Sequence, residues 1–577
     1  MGAEFDIVIR GGTVIDGSGG APYAADVAIK EGKIAAVGTV AGQGAEEIDA
    51  AGKIITPGFV DIHTHYDGQV TWENRLAPSS LHGVTTVLMG NCGVGFAPCK
   101  PEHRAMLVKV MEGVEDIPEV VMTEGVPWNW ESFPDYLDAL DKRHADIDFA
   151  AQIAHGPVRV HVMGQRGADR EPPTEADMAE MSRIVAEAVR AGAIGVTTSR
   201  SMAHRAVDGT LAPTVTSEEQ ELLALAEGLR QAGGGVFQII PGVHEGRDPV
   251  VEMAMMRRLI ERSGRPLSFS LMQTGQVADA MPLTLELLSQ ATADGVPIKA
   301  QVFPRGVGVM LGLDLSFHPF RFNPSYRAIE NLPLPERVQA MRDPELRARL
   351  LAEKPEHENP IHVWFASQDV DMYPLGDPPD YEPSPEDKVG ARAARAGVTP
   401  REFIYDLMLQ SDGKAIFLLP AANFVGNTLE PVRAMIEHPD ALIALGDGGA
   451  HYGMICDSSF PTTLLAYWTR DRAKGPRLAL PRAVNALTRA NALAVGLNDR
   501  GLIAPGMKAD INVIDYDRLT LHPPHVVADL PAGGKRMIQD ADGYDVTIVS
   551  GVVTYRAGVP TGALPGRLVR GGAQAAG

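Results

Sequence analysis

Eight short apolar segments, set apart by helical or loop-like stretches, constrain the fold of this 577-residue chain more than any other feature. They run over 57–65, 84–89, 148–154, 193–199, 236–240, 267–272, 298–303 and 441–445. Most are near-continuous apolar runs, the pattern of strands buried on both faces of a parallel sheet. Between them, Met178, Met181, Val185 and Val189 recur at helical spacing. That helix is introduced by Pro173 and Thr174, with Asp177 three residues on as capping partner. A second helix is predicted from Ser217, with Gln220 in the capping-box position, to Gly233. Eight strands alternating with helices predict an α/β chain folded as a (β/α)8 TIM-type barrel.

The two ends read differently. Residues 6–10, 13–15, 25–29 and 33–37 are short alternating strands, and Glu31-Gly32 joins the last two as a hairpin. Residues 509–515 and 546–554 return to the same alternation. The expected organisation is a terminal unit from 1–57 plus 505–577, and a barrel over 58–504. One insertion, about 305–400, is rich in proline and charge and too long for an ordinary connection. A surface insertion without a role and a lid over the C-terminal barrel face are both open readings.

The first segment ends in His63-Thr64-His65. Residues i and i+2 of a strand point to one side, so the two imidazoles converge as metal ligands must. The three cysteines, Cys92, Cys99 and Cys456, are too few and too odd in number for a disulfide framework, which favours a reducing compartment. No basic leader opens the chain and no window approaches about 18 apolar residues, so the cytoplasm is the expected location. With 52 basic against 73 acidic residues and a net charge of −21, neither nucleic acid nor an anionic membrane is expected as partner. The glycines of 306–312 lack the spacing and the downstream acid of a dinucleotide site.

Residues 55–67 (Ile-Thr-Pro-Gly-Phe-Val-Asp-Ile-His-Thr-His-Tyr-Asp) and 83–93 (Gly-Val-Thr-Thr-Val-Leu-Met-Gly-Asn-Cys-Gly) resemble the metal-dependent amidohydrolase superfamily. Residues 501–510 and 529–536 (Asp-Leu-Pro-Ala-Gly-Gly-Lys-Arg) extend the likeness, which covers nearly the whole chain in order. Within the superfamily the chain is similar to the N-acyl-D-amino-acid deacylase (D-aminoacylase-like) branch, as a divergent member. The resemblance implies a distorted (β/α)8 barrel plus a small β-sandwich built from both termini.

Cys92 ends the second strand and Asp447 the eighth, the two neighbours of the first in a barrel. A thiolate beside His63 and His65 suits zinc. A carboxylate at Asp447 can join the metal and take a proton from its water as general base. Cys99 and Cys456 read as structural. The branch has histidines at the ends of the fifth and sixth strands. Here residues 236–241 and 268–273 contain none, Leu271 stands at the second position, and Gln273 replaces a lysine. One zinc ion is therefore favoured, on His63, His65, Cys92 and Asp447. Two ions remain open, with Gln238, His244, His155 or His451 standing in. His155 matches a His-Gly-x-x-Arg stretch of the branch. With His451, four residues after Asp447, it is a candidate to polarise a carbonyl.

Phe303-Pro304-Arg305 replaces the Tyr-Pro-Tyr of the branch, and no arginine or lysine follows Asp447 through residue 457 to grip a substrate carboxylate. Arg159, Gln238, Gln273, Phe303 and Arg305 are the candidate substrate contacts, with Arg200 a further fallback anchor. Hydrolysis of an amide C–N bond by metal-activated water is the leading expectation, on a small-molecule amide larger and less charged than a simple N-acetyl-D-amino acid. Ester, lactone or cyclic-amide hydrolysis on the same site, and a catalytically inactive binding protein, are the alternatives. A homo-oligomer is left open.

Overall fold

A computed structural model describes residues 3–571. All eight segments form parallel strands. They are Phe59–Asp61, Val84–Met89, Asp148–Ala151 continued by Ile153–Ala154, Gly195–Ser199, Val236–Ile240, Leu267–Ser270, Ile298–Val302 and Ala441–Ile443. They pair in chain order, as one run of three and one of six. The break falls at Gln152, between the two halves of the third strand. Its N–H still bonds the Met89 carbonyl at 2.9 Å, while Ile194 N–H bonds Ala151 O at 2.8 Å. The loops after the eighth and first strands also exchange backbone bonds, Asp447 N–H to His63 O at 3.1 Å and His65 N–H to Gly448 O at 2.8 Å. The buried Asn491 amide donates to both Val60 O and Ile443 O, tying those two strands together.

The Thr174 side chain and Asp177 form the expected capping box for helix Glu175–Ala191. The next helix spans Glu219–Ala232 and starts one residue later than predicted, with Glu218 in extended geometry as N-cap in place of Ser217. Ser217 is buried instead. These helices cover the parallel strands, whose residues in Val84–Met89, Gly195–Ser199 and Val236–Ile240 are all buried.

Both ends of the chain enter one nine-stranded sheet. Phe5–Val14 lies between Tyr23–Lys30 and Ile54–Pro57, and the latter pairs with Ile511–Ile514, followed by Tyr544–Val549 and Val552–Arg556. Residues 566–571 leave this sheet and run beside the third parallel strand, Val569 N–H bonding Phe149 O at 2.8 Å.

The insertion is longer than 305–400. Val307–Leu311 pairs antiparallel with Phe417–Ala422, and Tyr373–Pro374 lies on the other side of that strand. Around this sheet Leu311, Phe320, Tyr326, Met341, Tyr405 and Phe417 form a separate buried core. The boundary therefore falls after Ala422, since the returning strand completes the sheet opened at Val307.

Candidate metal centre and the cavity above it

The His-Thr-His segment is locked by its neighbours. Thr64 Oγ1 donates to Leu88 O at 2.9 Å, and the Asn91 amide donates to Thr64 O at 3.1 Å. Asp67 accepts the Gly90 N–H at 3.0 Å. A Cβ at Gly90 would lie 2.2 Å from Gln152 O, so only glycine lets the second strand turn here. Cys92 follows with φ 57°, and Asp447 and His451 have φ 46° and 51°. Left-handed backbone at non-glycine residues costs of order 1 kcal/mol each, and such positions cluster at functional sites.

His63 Nδ1 meets Gln301 Oε1 at 2.7 Å, and Gln301 Nε2 donates to Ser268 Oγ at 2.9 Å. With the Gln301 oxygen facing it, Nδ1 carries the His63 proton and Nε2 is left as a lone-pair donor. His63 Nε2 lies 3.3 Å from Cys92 Sγ. One donor atom from each of His63, His65 and Cys92 falls within 4.8 Å of the others, the only such buried group among the described residues. Asp447 Oδ1 stands 3.5 Å from Nε2 of both histidines.

Two acids flank this group. Glu115, 1% exposed, ends helix Arg104–Glu115; its Oε1 lies 3.5 Å from His65 Nδ1 and its Oε2 3.4 Å from His451 Nε2. Both Glu115 oxygens and both His65 nitrogens lack a hydrogen-bond partner. Burial pushes the Cys92 thiol up to about 12 and the Glu115 carboxyl up to about 7. Burial acts on Asp447 in the same sense, but the approach of His65 and the charges of His63, His65 and His451 hold it well below the usual carboxylate range. Orphaned buried donors of imidazole, thiol and carboxylate type fit a borderline cation such as zinc. A cation would also stabilise the thiolate that burial disfavours.

Several predicted contacts lie elsewhere. His155 is fully buried, with Nδ1 2.8 Å from Thr198 Oγ1 and Nε2 3.0 Å from Glu221 Oε1, so neither nitrogen faces the cluster. Arg159 is bound by Glu221 and by the Glu171 and Gly167 carbonyls. Arg200 pairs with Glu252 at 2.7 Å. Arg305 is 1% exposed, donates to Asp457 at 2.7 Å and to Cys456 O, and stacks on Tyr381. Phe303 packs edge-on against Phe460 in the core. Gln273 is tied by its backbone to Asn423. These six residues are held by partners within the protein rather than turned toward the cluster. His244 lies beside Glu245 at 3.6 Å, outside the cluster. Gln238 is buried in the fifth strand with neither amide atom partnered. His451 lines the cavity described next. Cys99 and Cys456 are buried free thiols.

A cavity of about 700 Å³ opens above Asp447 and His451, roofed by the insertion. Sequence reasoning missed Glu115, Gln301 and His204. Glu115 does leave a signal, as an acid on the stripe Leu107, Val108, Met111, Val114, where an apolar residue is due. His204 is half-buried, lines the cavity and carries an unpartnered Nδ1. No periodicity marks it, because it sits in the loop after the fourth strand.

Residues 46–555 match the amidohydrolase family. An uncharacterised protein of Mycobacterium tuberculosis is 28% identical over 599 aligned positions, covering 96% of this chain and 92% of that one. D-aminoacylase of Alcaligenes xylosoxydans xylosoxydans is 31% identical over 236 residues, 40% of this chain and 43% of that enzyme. Among solved structures, D-aminoacylase superposes with a TM-score of 0.65 at 22% identity, covering 98% of this chain and all of that one. N-acyl-D-glutamate deacylase from Bordetella bronchiseptica, solved with zinc and a phosphonate mimic of the tetrahedral intermediate, gives 0.64 at 22% identity, covering 98% and 99%.

Proposed function

Because the chain belongs to the amidohydrolase family, as a divergent D-aminoacylase-like member, we propose that it hydrolyses the amide C–N bond of an N-acyl amino acid or a related amide. We also read its eight parallel strands as a distorted (β/α)8 barrel and its terminal sheet as part of a β-sandwich. The bonds between the loops at His63–His65 and Asp447–Gly448 support that closure.

The observation that carries the functional reading is the convergence of His63, His65 and Cys92 with a carboxylate 3.5 Å from both imidazoles. His63, His65, Cys92 and Asp447 would hold one zinc ion. The chemistry supplied by zinc in such a place is Lewis acidity toward a carbonyl and toward water. Asp447, kept ionised by its histidine neighbours, accepts the proton of the attacking water at a carboxylate oxygen and returns it to the leaving nitrogen. Gln301 keeps the proton of His63 on Nδ1. His451, partly exposed to the cavity, faces the substrate carbonyl. Residues 236–241 and 268–273 contain no histidine, which supports one ion over two.

The test is Asp447→Asn, assayed on a panel of N-acyl amides. An amide cannot take the proton, and loss of a general base commonly costs about 10²–10⁴-fold in rate. Full activity in a folded variant would exclude Asp447 as the base and turn attention to His451.

A further inference from the structure

The cavity above Asp447 is far larger than an acetyl group and its leaving amine require, and within the range that holds a drug-sized ligand. Its outer wall comes from the insertion. Helix Pro360–Ala366 presents Ile361, His362 and Phe365, and the loop before Tyr326 presents Phe317 and Phe322. These rings form one continuous face. Phe317 lies 5.0 Å from His362 and 5.1 Å from Phe365 between centroids, and Phe322 stacks on His362 within 5° of parallel. Burial holds the His362 imidazole near 4, so it is neutral and belongs to the apolar surface. Phe322 and Phe365 are only partly buried, although both pack on the insertion's own core. The wall is thus preformed and part of it stays open.

The charges around the cavity speak against an anionic occupant. Acids outnumber cations in its lining. Arg321 is paired with Glu330, and Lys535 reaches Asp314 at 2.7 Å. Arg337 bonds the Tyr326 hydroxyl at 3.1 Å and faces Asp314 at 3.5 Å. Arg205 donates to Gly209 O.

We infer that this cavity is a subsite for an uncharged aromatic group on the acyl side of the substrate, seated on the Phe317–Phe322–His362–Phe365 face while the scissile amide reaches Asp447. The ring-lined wall offers the offset and edge contacts that aromatic groups prefer, and three of the four lining cations, Arg321, Arg337 and Lys535, are already held by acids. The inference rests on the proposed amide hydrolysis for the position of the scissile bond, and on the cavity alone for the class of group bound.

Two measurements on the zinc-loaded protein test it. The first compares kcat/KM for N-benzoyl and N-acetyl derivatives of one amine, and a preference of about tenfold or more for benzoyl is expected. Phe365→Ala, and Phe365→Leu as the variant that keeps apolar volume and loses only the ring, should lower that ratio. The second follows the fluorescence of N-phenyl-1-naphthylamine, an uncharged aromatic probe. It should bind once per chain, compete with the benzoyl substrate, and bind more weakly to Phe365→Leu. Equal turnover of benzoyl and acetyl amides, with probe binding indifferent to Phe365, overturns the inference. Phe365-dependent probe binding by a protein that hydrolyses no amide sinks the proposed reaction and leaves the aromatic subsite standing.

Discussion

Replacing Glu221 by glutamine separates a structural from a catalytic role for His155. Glu221 lies at 1% exposure, bonded to His155 Nε2 and to the Arg159 guanidinium. Burial alone would raise its carboxyl. Bonds and charges from His155 and Arg159 instead bring it down from 4.5 to about 2. The carboxylate is thus stabilised in the folded chain, and the displacement corresponds to about 3 kcal/mol of folding free energy. A second route gives the same size: neutralising Glu221 strands the Arg159 charge at 2% exposure, and breaking a buried pair costs about 3–5 kcal/mol. The folded value is depressed, so this stability is fully present above pH 4.5 and disappears as pH falls toward 2. Urea unfolding at pH 7 should place Glu221→Gln about 3 kcal/mol below the parent, and the gap should close between pH 5 and pH 2. Zinc content and turnover of the folded fraction should stay near those of the parent. A variant as stable as the parent at pH 7 but unable to turn over would refute this reasoning and return His155 to the reaction.

Metal analysis of the purified protein should find close to one zinc per chain; two ions, the second near Gln238, would contradict the ligand set argued from His63, His65, Cys92 and Asp447. Glu115→Gln should leave the fold intact and weaken zinc about 10–100-fold in a chelator competition, the usual effect of losing a carboxylate that orients a ligating histidine. Unchanged affinity would mean that the 3.5 Å approach to His65 positions nothing. N-acetyl-D-methionine should be a poorer substrate than its carboxamide, since Arg159, Arg200 and Arg305 are already paired. Efficient turnover of the free acid alone would defeat that expectation and make Arg205 the carboxylate anchor.

The parallel strands were legible because burial on both faces leaves runs such as Val84–Met89 made of β-branched and apolar residues throughout. His63, His65 and Cys92 were legible because strand alternation and strand order place them without side-chain detail. The predicted contacts that lie away from the cluster share one cause. His155, Arg159 and Arg305 carry chemistry that suits an active site, but each is neutralised by a partner far away in sequence: Glu221 lies 66 and 62 residues from the first two, and Asp457 152 from the third. Such pairing leaves no local pattern. Glu115 did leave a local mark, as an acid on the apolar stripe of its helix, but one such break at a helix end reads as surface charge. The end of the insertion was misplaced because proline and charge fade near residue 400, while the strand that completes its sheet starts only at Phe417.

The proposed metal ligands and the cavity wall are supported by different cores. His63, Cys92 and Asp447 hang on the parallel strands and their loops, whereas Phe317, Phe322 and Phe365 pack on the buried cluster around Tyr405 and Phe417. Changes to the wall therefore strain one small core and leave the backbone under the histidines undisturbed. Across descendants of such a chain, the choice of acyl group can drift through substitutions in residues 307–422 while the reaction stays constant. Exchanging that segment between relatives is accordingly a direct way to move specificity without rebuilding the catalytic floor.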